Sequence, residues 1–282
     1  MGAGGVIFVC AAVLVFYGLV GGVESGPAVA VLEIYDELID EREILADLEW
    51  LLDDPGTQAL VVRVDSPGGA ITVAEEVYNA LKRVEDEGLP VVASMGTTGA
   101  SGAYMICLAA DRVFANKGTL TGSIGVIFEY TSAAGLFEKL GVEFSSVRTG
   151  EYKGAGSIAE PITERQKEHY QQVVNDYLDQ FVEVILEERG LDEATVRGLA
   201  DGRVFTGRQA LELKLVDEIG GLDDAIDCAA ELAGLTEEPR IIRVRQEAWS
   251  LFTVLDEVGM GRAARAAAQF RLGGHVPKFV YR

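Results

Sequence analysis

Residues 59–95 read ALVVRVDSPGGAITVAEEVYNALKRVEDEGLPVVASM. The apolar run from Ala59 to Val64 predicts a buried strand, and the turn DSPGG at 65–69 ends it. Thr72 to Val84 then carries apolar side chains at helical spacing, and Pro90 to Met95 predicts a second strand. A strand, a helix and a strand in this order predict a βαβ unit with parallel strands.

The same alternation continues on both sides of this stretch. Further strands are predicted at Val29 to Ile34, Arg112 to Ala115, Gly122 to Phe128, Val142 to Val147 and Arg240 to Val244. Helices are predicted at Arg42 to Leu52, Ala103 to Ala110, Ala133 to Leu140, Glu193 to Leu199, Gly207 to Leu213 and Asp223 to Leu232, and a long one from a capping box at Thr163 and Gln166 to Arg189. Gly96 to Gly102 and Arg148 to Pro161 are predicted to be loops. The fold class is therefore α/β with a mainly parallel sheet, and chemistry is expected at the carboxyl ends of its strands.

The chain opens with an uncharged apolar segment, Gly2 to Val23. About 20 residues at helical rise span about 30 Å of hydrocarbon, so this segment is predicted to be one transmembrane helix. A cleaved signal peptide is the alternative, although no basic residues precede the apolar run. The predicted organisation is an anchor at 1–24, a main domain at 25–247 and a helical tail at 248–282. Because no Lys or Arg follows the apolar segment before Arg42, the main domain is predicted to lie outside the cytoplasm.

The charge and cysteine content of the chain argue against several classes of function. The net charge is −21, from 45 acidic and 24 basic residues, without a cluster of Lys and Arg that would bind nucleic acid. This acidic surface is also typical of proteins from salt-loving organisms. The three cysteines, Cys10, Cys107 and Cys228, are far apart and predict neither a disulfide framework nor a zinc site.

The two histidines limit the mechanism. His169 lies in the long polar helix and His275 in the tail, so neither adjoins a glycine-rich loop, and both are expected to face solvent. A Ser-His-Asp triad lacks a base, and zinc lacks ligands. Nucleotide-binding glycine loops of the dinucleotide and P-loop types are absent from the sequence.

Three segments remain that can support chemistry. Ser101 lies between small residues in Gly99-Ala100-Ser101-Gly102, at the start of an apolar helix, where free N–H groups favour a developing oxyanion; a purely structural turn is the alternative. Gly68 and Gly69 offer N–H groups that would form half of an oxyanion hole, or they belong to a simple β-turn. Lys153, flanked by glycine and alanine, is a general base only if desolvation lowers its pKa towards 7; otherwise it is a solvated loop lysine.

Taken together, these segments resemble the signal peptide peptidase family, also called protease IV, over roughly Val29 to Leu232. The resemblance rests on five motifs in order: DSPGG at 65–69, GASGAY at 99–104, TGSIGV at 121–126, EYKG at 151–154 and ADGRVFTGRQA at 200–210. The resemblance implies a Clp-protease or crotonase-like fold of repeated ββα and βαβ units, with Ser101 as nucleophile and Lys153 as general base. It further implies that Ser123 orients the lysine, and that two of Gly68, Gly69 and Gly102 donate to the oxyanion.

The resemblance also implies partners and substrates. Remnant signal peptides or other apolar peptides are the expected substrates, homo-oligomeric rings are expected that can place residues of neighbouring subunits in one groove, and no metal or cofactor is needed. Some members of the family carry an acidic residue directly after the lysine and an arginine several positions later. This chain has Gly154 and then Ser157 to Pro161 instead, so the local contacts of this loop are expected to differ. The alternatives are a related Clp-like peptidase that cuts one specific membrane protein, a non-catalytic peptide-binding scaffold and an acyl-CoA enzyme of the same fold group.

Overall fold

The computed structural model describes residues 26–244. Within them one sheet of eight strands forms. The strands are β1 (Ala28–Tyr35), β2 (Thr57–Ser66), β3 (Val91–Ala100), β4 (Arg112–Ala115), β5 (Leu120–Gly122), β6 (Val204–Thr206), β7 (Glu218–Ile219) and β8 (Arg240–Arg243). The helices are α1 (Arg42–Leu52), α2 (Ile71–Asp86), α3 (Gly102–Cys107), α4 (Ala134–Leu140), α5 (Glu164–Arg189), α6 (Glu193–Leu199), α7 (Gly207–Glu212) and α8 (Leu222–Leu232).

The sheet has the order β6-β5-β3-β2-β1-β8, and β4 pairs with both β3 and β7. All of these pairings are parallel except that of β5 with β6. The predicted α/β fold with a mainly parallel sheet is therefore confirmed. Parallel strands place their carboxyl ends at one edge, and β1, β2 and β3 all end there.

Both faces of the central strands are buried, which explains their almost continuous apolar runs. Along β1, Ala30 and Leu32 pack into the larger core with helices α1 to α3, whereas Val29 and Val31 face a second core beneath α8. The sheet is thus covered by helices on both sides, and its carboxyl edge is left for function.

The strand β3 changes its partner halfway along its length. Val92 to Met95 pair with β4, and Thr98 to Ala100 pair with β5. The predicted loop at Gly96 to Gly102 is therefore wrong, because its first five residues continue the strand. Its glycines reflect close packing: a β-carbon at Gly96 would lie 2.5 Å from the Asp65 carboxylate.

Two other predicted strands are wrong. The strand predicted at Gly122 to Phe128 ends at Gly122, because φ is 77° at Gly122 and 49° at Ser123, and these values turn the chain away from the sheet. The segment Val142 to Val147 has no strand partner among the described residues, and Val147 is fully exposed. Alternating apolar residues alone do not form a strand when no neighbouring strand accepts them.

The helix predictions are largely confirmed. The helix α1 has the predicted bounds, and α5 begins at the predicted capping box, where Thr163 Oγ1 accepts from the Gln166 N–H and Gln166 Oε1 accepts from the Thr163 N–H. No helix within residues 26–244 is long and apolar enough to cross a membrane. The predicted anchor at 1–24, the tail at 248–282 and His275 lie outside the described residues.

Candidate active site

Ser101 occupies a sharp turn between β3 and α3. Its backbone angles are φ 53° and ψ −126°, a conformation that residues other than glycine rarely adopt. The turn is fixed on both sides, since the Ser101 N–H donates to Gly122 O at 2.8 Å and Ser101 O accepts from the Met105 N–H at 3.1 Å. Strain of this kind persists only where the surroundings impose it, and it is common at functional sites.

The helix α3, which directly follows Ser101, is buried in the core. Residues Ala103 to Cys107 of α3 are all buried, and the hydroxyl of Tyr104 donates to Leu215 O at 2.9 Å. Desolvation raises the pKa of the Tyr104 phenol, so this donor stays protonated. The serine is therefore presented by a rigid element at the edge of the core.

The DSPGG turn packs directly against this serine. A β-carbon at Gly68 would lie 2.9 Å from both the Ser101 β-carbon and the Gly102 nitrogen. The Gly68 N–H donates to Ser66 Oγ at 3.2 Å, whereas the Gly69 N–H has no hydrogen-bond acceptor among the described residues. Gly102 begins α3, so its N–H has no acceptor within that helix. Gly69 and Gly102 thus offer two unengaged donors beside Ser101.

A short parallel bridge fixes the position of this turn. The Leu38 N–H donates to Gly68 O at 2.9 Å, and the Ala70 N–H donates to Leu38 O at 2.8 Å. Leu38 follows β1, so the segment after one strand holds the turn after the next strand in place. The glycine donors are consequently set by main-chain contacts.

Ser123 lies just beyond β5 and lines the same cavity as Ser101. Its φ is 49°, and its N–H donates to Arg203 O at 2.9 Å. The next residue is also held, since Ile124 O accepts from the Gly202 N–H at 2.9 Å. The motifs at 121–126 and 200–210 therefore contact each other and together form one wall of the site.

The cavity has a volume of about 730 Å³. Apolar side chains line much of it, namely Ile71, Val126, Ile127, Val174 and Leu178. Its polar lining includes Glu37, Gln171, Asn175 and Asp201. No lysine or arginine is among the described residues that line it. The cavity as described therefore combines the Ser101 hydroxyl with free main-chain N–H groups, and no lysine or arginine of the described chain lines it.

The predicted base, Lys153, is exposed and does not line this cavity. Its side chain makes no hydrogen bond or ion pair among the described residues. Arg165 of α5 pairs with Glu151 of the surrounding loop at 2.9 Å, and a second pair, Arg148 with Glu160, joins the two ends of that loop. Ser101, Ser123 and the glycines are thus brought together within the described chain, and Lys153 is not brought to them.

Other sequence predictions can now be located. His169 is exposed as predicted, with its ring 5.0 Å from that of Tyr152. Four polar residues that line the cavity were not predicted from the sequence as site residues: Glu37, Gln171, Asn175 and Asp201. Glu37 had a usable signal, since it closely follows a parallel strand at the edge where ligands bind. Gln171 and Asn175 carried no comparable signal, because their helix is polar along most of its length.

Comparison with known proteins bears on this geometry. The model of peptidase family S49 matches residues 83–236, which is more than half of the chain. This chain belongs to peptidase family S49. Within S49, it is 42% identical over 177 residues to a protein of Synechocystis named as a protease, covering 63% of this chain and 64% of that one. It is 34% identical over 201 residues to the protein named signal peptide peptidase SppA of Enterococcus faecium, covering 71% and 58%.

The predicted membership of the signal peptide peptidase and protease IV group of S49 is therefore confirmed. The match spans less than two thirds of the length of each of these two relatives. Among solved structures, a membrane-bound stomatin-specific protease has a TM-score of 0.53 with 11% identity, covering 79% of this chain and 100% of that one. At this identity the likeness shows the fold alone, which agrees with the α/β architecture described above.

Proposed function

We propose that this protein is a serine endopeptidase in which Ser101 is the nucleophile and Lys153 is the general base. The observation that carries the proposal is the backbone of Ser101, held at φ 53° beside two unengaged N–H groups. Ser101 Oγ attacks the peptide carbonyl carbon while Lys153 takes the hydroxyl proton. The lysine returns this proton to the leaving amine, and water then hydrolyses the acyl-enzyme.

Gly69 and Gly102 are the proposed oxyanion donors. Of the three predicted glycines, Gly68 already donates to Ser66 Oγ, and this bond makes it the least available. An oxyanion hole needs two donors aimed at one point, and removing one typically lowers the rate by about 10²–10³-fold. The serine reacts only where those donors and a neutral base meet.

The base is proposed to come from a neighbouring subunit. Lys153 lies outside the cavity of its own chain. It belongs to the segment 130–158, in which several apolar side chains are exposed. These exposed side chains include Tyr130, Leu136, Leu140, Val142, Phe144 and Ile158. A surface of this kind favours an interface between copies. In a homo-oligomeric ring, Lys153 of one copy would reach Ser101 of the next, where Ser123 would orient its neutral amine.

The substrates are proposed to be apolar peptides in extended conformation, with remnant signal peptides as the natural class. Gly125, Val126 and Ile127 line the cavity and make no main-chain hydrogen bond among the described residues, so their main chain is available for β-strand addition. The apolar lining suits aliphatic side chains. The anchor at 1–24 would keep the enzyme at the membrane, with the peptidase domain outside the cytoplasm.

The first test uses the full-length chain in mild detergent and measures cleavage of apolar peptides. Ser101→Ala and Lys153→Ala are each expected to lower kcat by at least about 10³-fold while leaving the circular dichroism unchanged. Lys139→Ala, which removes another exposed lysine from the same segment, is the matched control and retains activity. Equal cleavage by the wild type and both variants would disprove the dyad and favour the peptide-binding scaffold.

A mixing experiment tests the proposed sharing of the site between subunits. Ser101→Ala and Lys153→Ala chains are unfolded, mixed in equal amounts and refolded together. If neighbours share each site, random assembly gives about one quarter of the sites both wild-type residues, and activity returns to about that level. If each chain supplies both residues, the mixture stays inactive.

A further inference from the structure

Two carboxylates line the cavity beside Ser101, those of Glu37 and Asp201, and the proposed mechanism uses neither. Glu37 lines the cavity, and its Oε1 is excluded from solvent with no hydrogen-bond partner among the described residues. No ion pair involving Glu37 is found within residues 26–244. A buried acceptor without a donor destabilises a protein, and more so when it carries charge.

Neighbouring carboxylates differ from Glu37 in this respect. Asp65 accepts from the N–H groups of Thr97 and Thr98 at 3.0 and 2.9 Å. Asp201, the other acidic residue of the cavity, is paired with Arg203. Glu37 is therefore the carboxylate in this lining whose charge lacks a partner on the described chain.

The backbone holds Glu37 in place from both sides. Asp36 has φ 61°, and its N–H donates to Asp65 O at 3.2 Å. On the other side, the Leu38 N–H donates to Gly68 O at 2.9 Å, and the Leu38 side chain is 2% exposed. Because Leu38 bridges to the turn that carries the oxyanion donors, Glu37 is fixed one residue away from that contact.

We propose that Glu37 selects peptides that carry a cationic group close to the scissile bond. With Oε1 buried, the negative charge gains a partner only from the cavity side, and no cationic side chain of the described chain lines that cavity. Because Oε1 is closed to solvent, the ammonium or guanidinium of a substrate would donate a charge-assisted hydrogen bond to Oε2 and so neutralise the carboxylate. The preferred peptide is thus apolar except for one lysine, arginine or free amino terminus. This inference rests on the proposed peptidase function and deepens it.

Binding to the full-length Ser101→Ala protein tests the preference without requiring cleavage. Fluorescent apolar decapeptides carry either lysine or norleucine at each position in turn, and a second series compares free with acetylated amino termini. At the favoured position the lysine peptide is expected to bind about tenfold more tightly than its norleucine twin. Which series shows the preference identifies whether a side chain or the amino terminus is recognised.

Variants of Glu37 complete the test. Glu37→Gln is expected to reduce the preference to less than about twofold, and Glu37→Lys to reverse it in favour of a glutamate peptide. The control is Glu87→Gln, which removes the same charge at the far end of the 16-residue helix α2, about 24 Å along its axis from Ile71. An unchanged preference in Glu37→Gln, or equal binding of both peptides to the Glu37 protein, would overturn the inference.

The two proposals fail in different ways. If wild type cleaves both peptides at equal rates and binds them equally, the peptidase stands and the role of Glu37 is rejected. If wild type cleaves nothing but the Glu37-dependent preference in binding remains, the selection stands and the peptidase is rejected.

Discussion

The main chain of Leu38 lies so close to Gly69 that a β-carbon at Gly69 would be 2.3 Å from the Leu38 carbonyl oxygen. Gly69→Ala must therefore displace either the bridge to Leu38 or the turn beside Ser101. Because the Gly69 N–H is a proposed oxyanion donor, we expect kcat for peptide cleavage to fall by about 10²-fold or more. The free energy of unfolding is expected to fall by about 2 kcal/mol, measured by chemical denaturation.

Gly198→Ala is the control for that substitution. Gly198 lies in α6, and a β-carbon added there would meet nothing within 4 Å, so alanine is expected to stabilise the helix by about 0.5–1 kcal/mol. If Gly69→Ala behaved like Gly198→Ala, the close contact with Leu38 would have no energetic or catalytic importance.

Ser123 is expected to act as a positioning residue for the lysine. A hydroxyl that donates to the neutral amine favours the form of the lysine that accepts the serine proton. Ser123→Ala should therefore shift the rising limb of the pH–kcat profile to higher pH, with a partial recovery of activity in alkaline buffer. Ser123→Gly relieves the positive φ and should give the same shift; a lower rate with an unchanged profile would indicate a structural role only.

Arg189, the last residue of α5, joins this helix to Asp217, the residue directly before β7. Its guanidinium makes two hydrogen bonds of 2.9 Å to Asp217, and its side chain is 10% exposed. Asp217 Oδ2 also accepts from the Val113 N–H at 2.8 Å. Arg189→Met leaves this carboxylate without its cation, so we expect a loss of about 3 kcal/mol in the free energy of unfolding, measured in urea.

Arg197→Met tests whether that loss depends on burial. Arg197 pairs with Asp179 and Glu193 on the surface, with both partners exposed. Its removal is expected to leave the urea midpoint almost unchanged, since solvent screens such pairs. Equal effects of the two substitutions would contradict the structural importance assigned to Arg189.

Cys107 and Cys228 are expected to differ in reactivity. Burial raises the pKa of the Cys107 thiol to about 12, and burial also raises that of Cys228, which is less enclosed. Since the thiolate is the reactive form, a raised pKa means less labelling at pH 8. Iodoacetamide followed by peptide mass spectrometry should find Cys107 unmodified in the folded protein and modified after unfolding. Fast native labelling of Cys107 would contradict its place in the core.

The acidic surface predicts that folding responds to salt. The net charge of −21 produces self-repulsion, and the screening length falls from about 10 Å at 0.1 M salt to about 3 Å at 1 M. We expect the Tm to rise steadily between these concentrations of KCl. Sorbitol at matched osmolality should raise it less. Equal effects of the two solutes would contradict the expectation that repulsion between acidic residues limits the stability of the fold.

Local sequence patterns predicted those parts of the fold that depend on local chemistry. Thr163 and Gln166 cap α5 with side chains three residues apart, and a window of that size contains all the information. The bounds of α1 and β4 followed in the same way from apolar spacing and a short apolar run.

The errors have a different origin, because they depend on contacts between distant segments. Gly96 to Ala100 look like a flexible loop, but pairing with β5 and the carboxylate of Asp65 keep them in the strand. The site divides in the same manner. The motifs indicated Ser101, Ser123 and the glycines, which lie together, whereas the exposure of Lys153 depends on how a long segment leaves the sheet.

The positive φ of Ser101 has a consequence for how this protein can change over time. Glycine adopts such angles without strain, so Ser101→Gly would release on the order of 1–3 kcal/mol while removing the hydroxyl of the proposed nucleophile. Losing activity is thus the thermodynamically easy direction at this position. A laboratory selection for thermal stability alone should therefore enrich inactive variants with glycine at position 101. A screen for more stable variants has to measure peptide cleavage at every round.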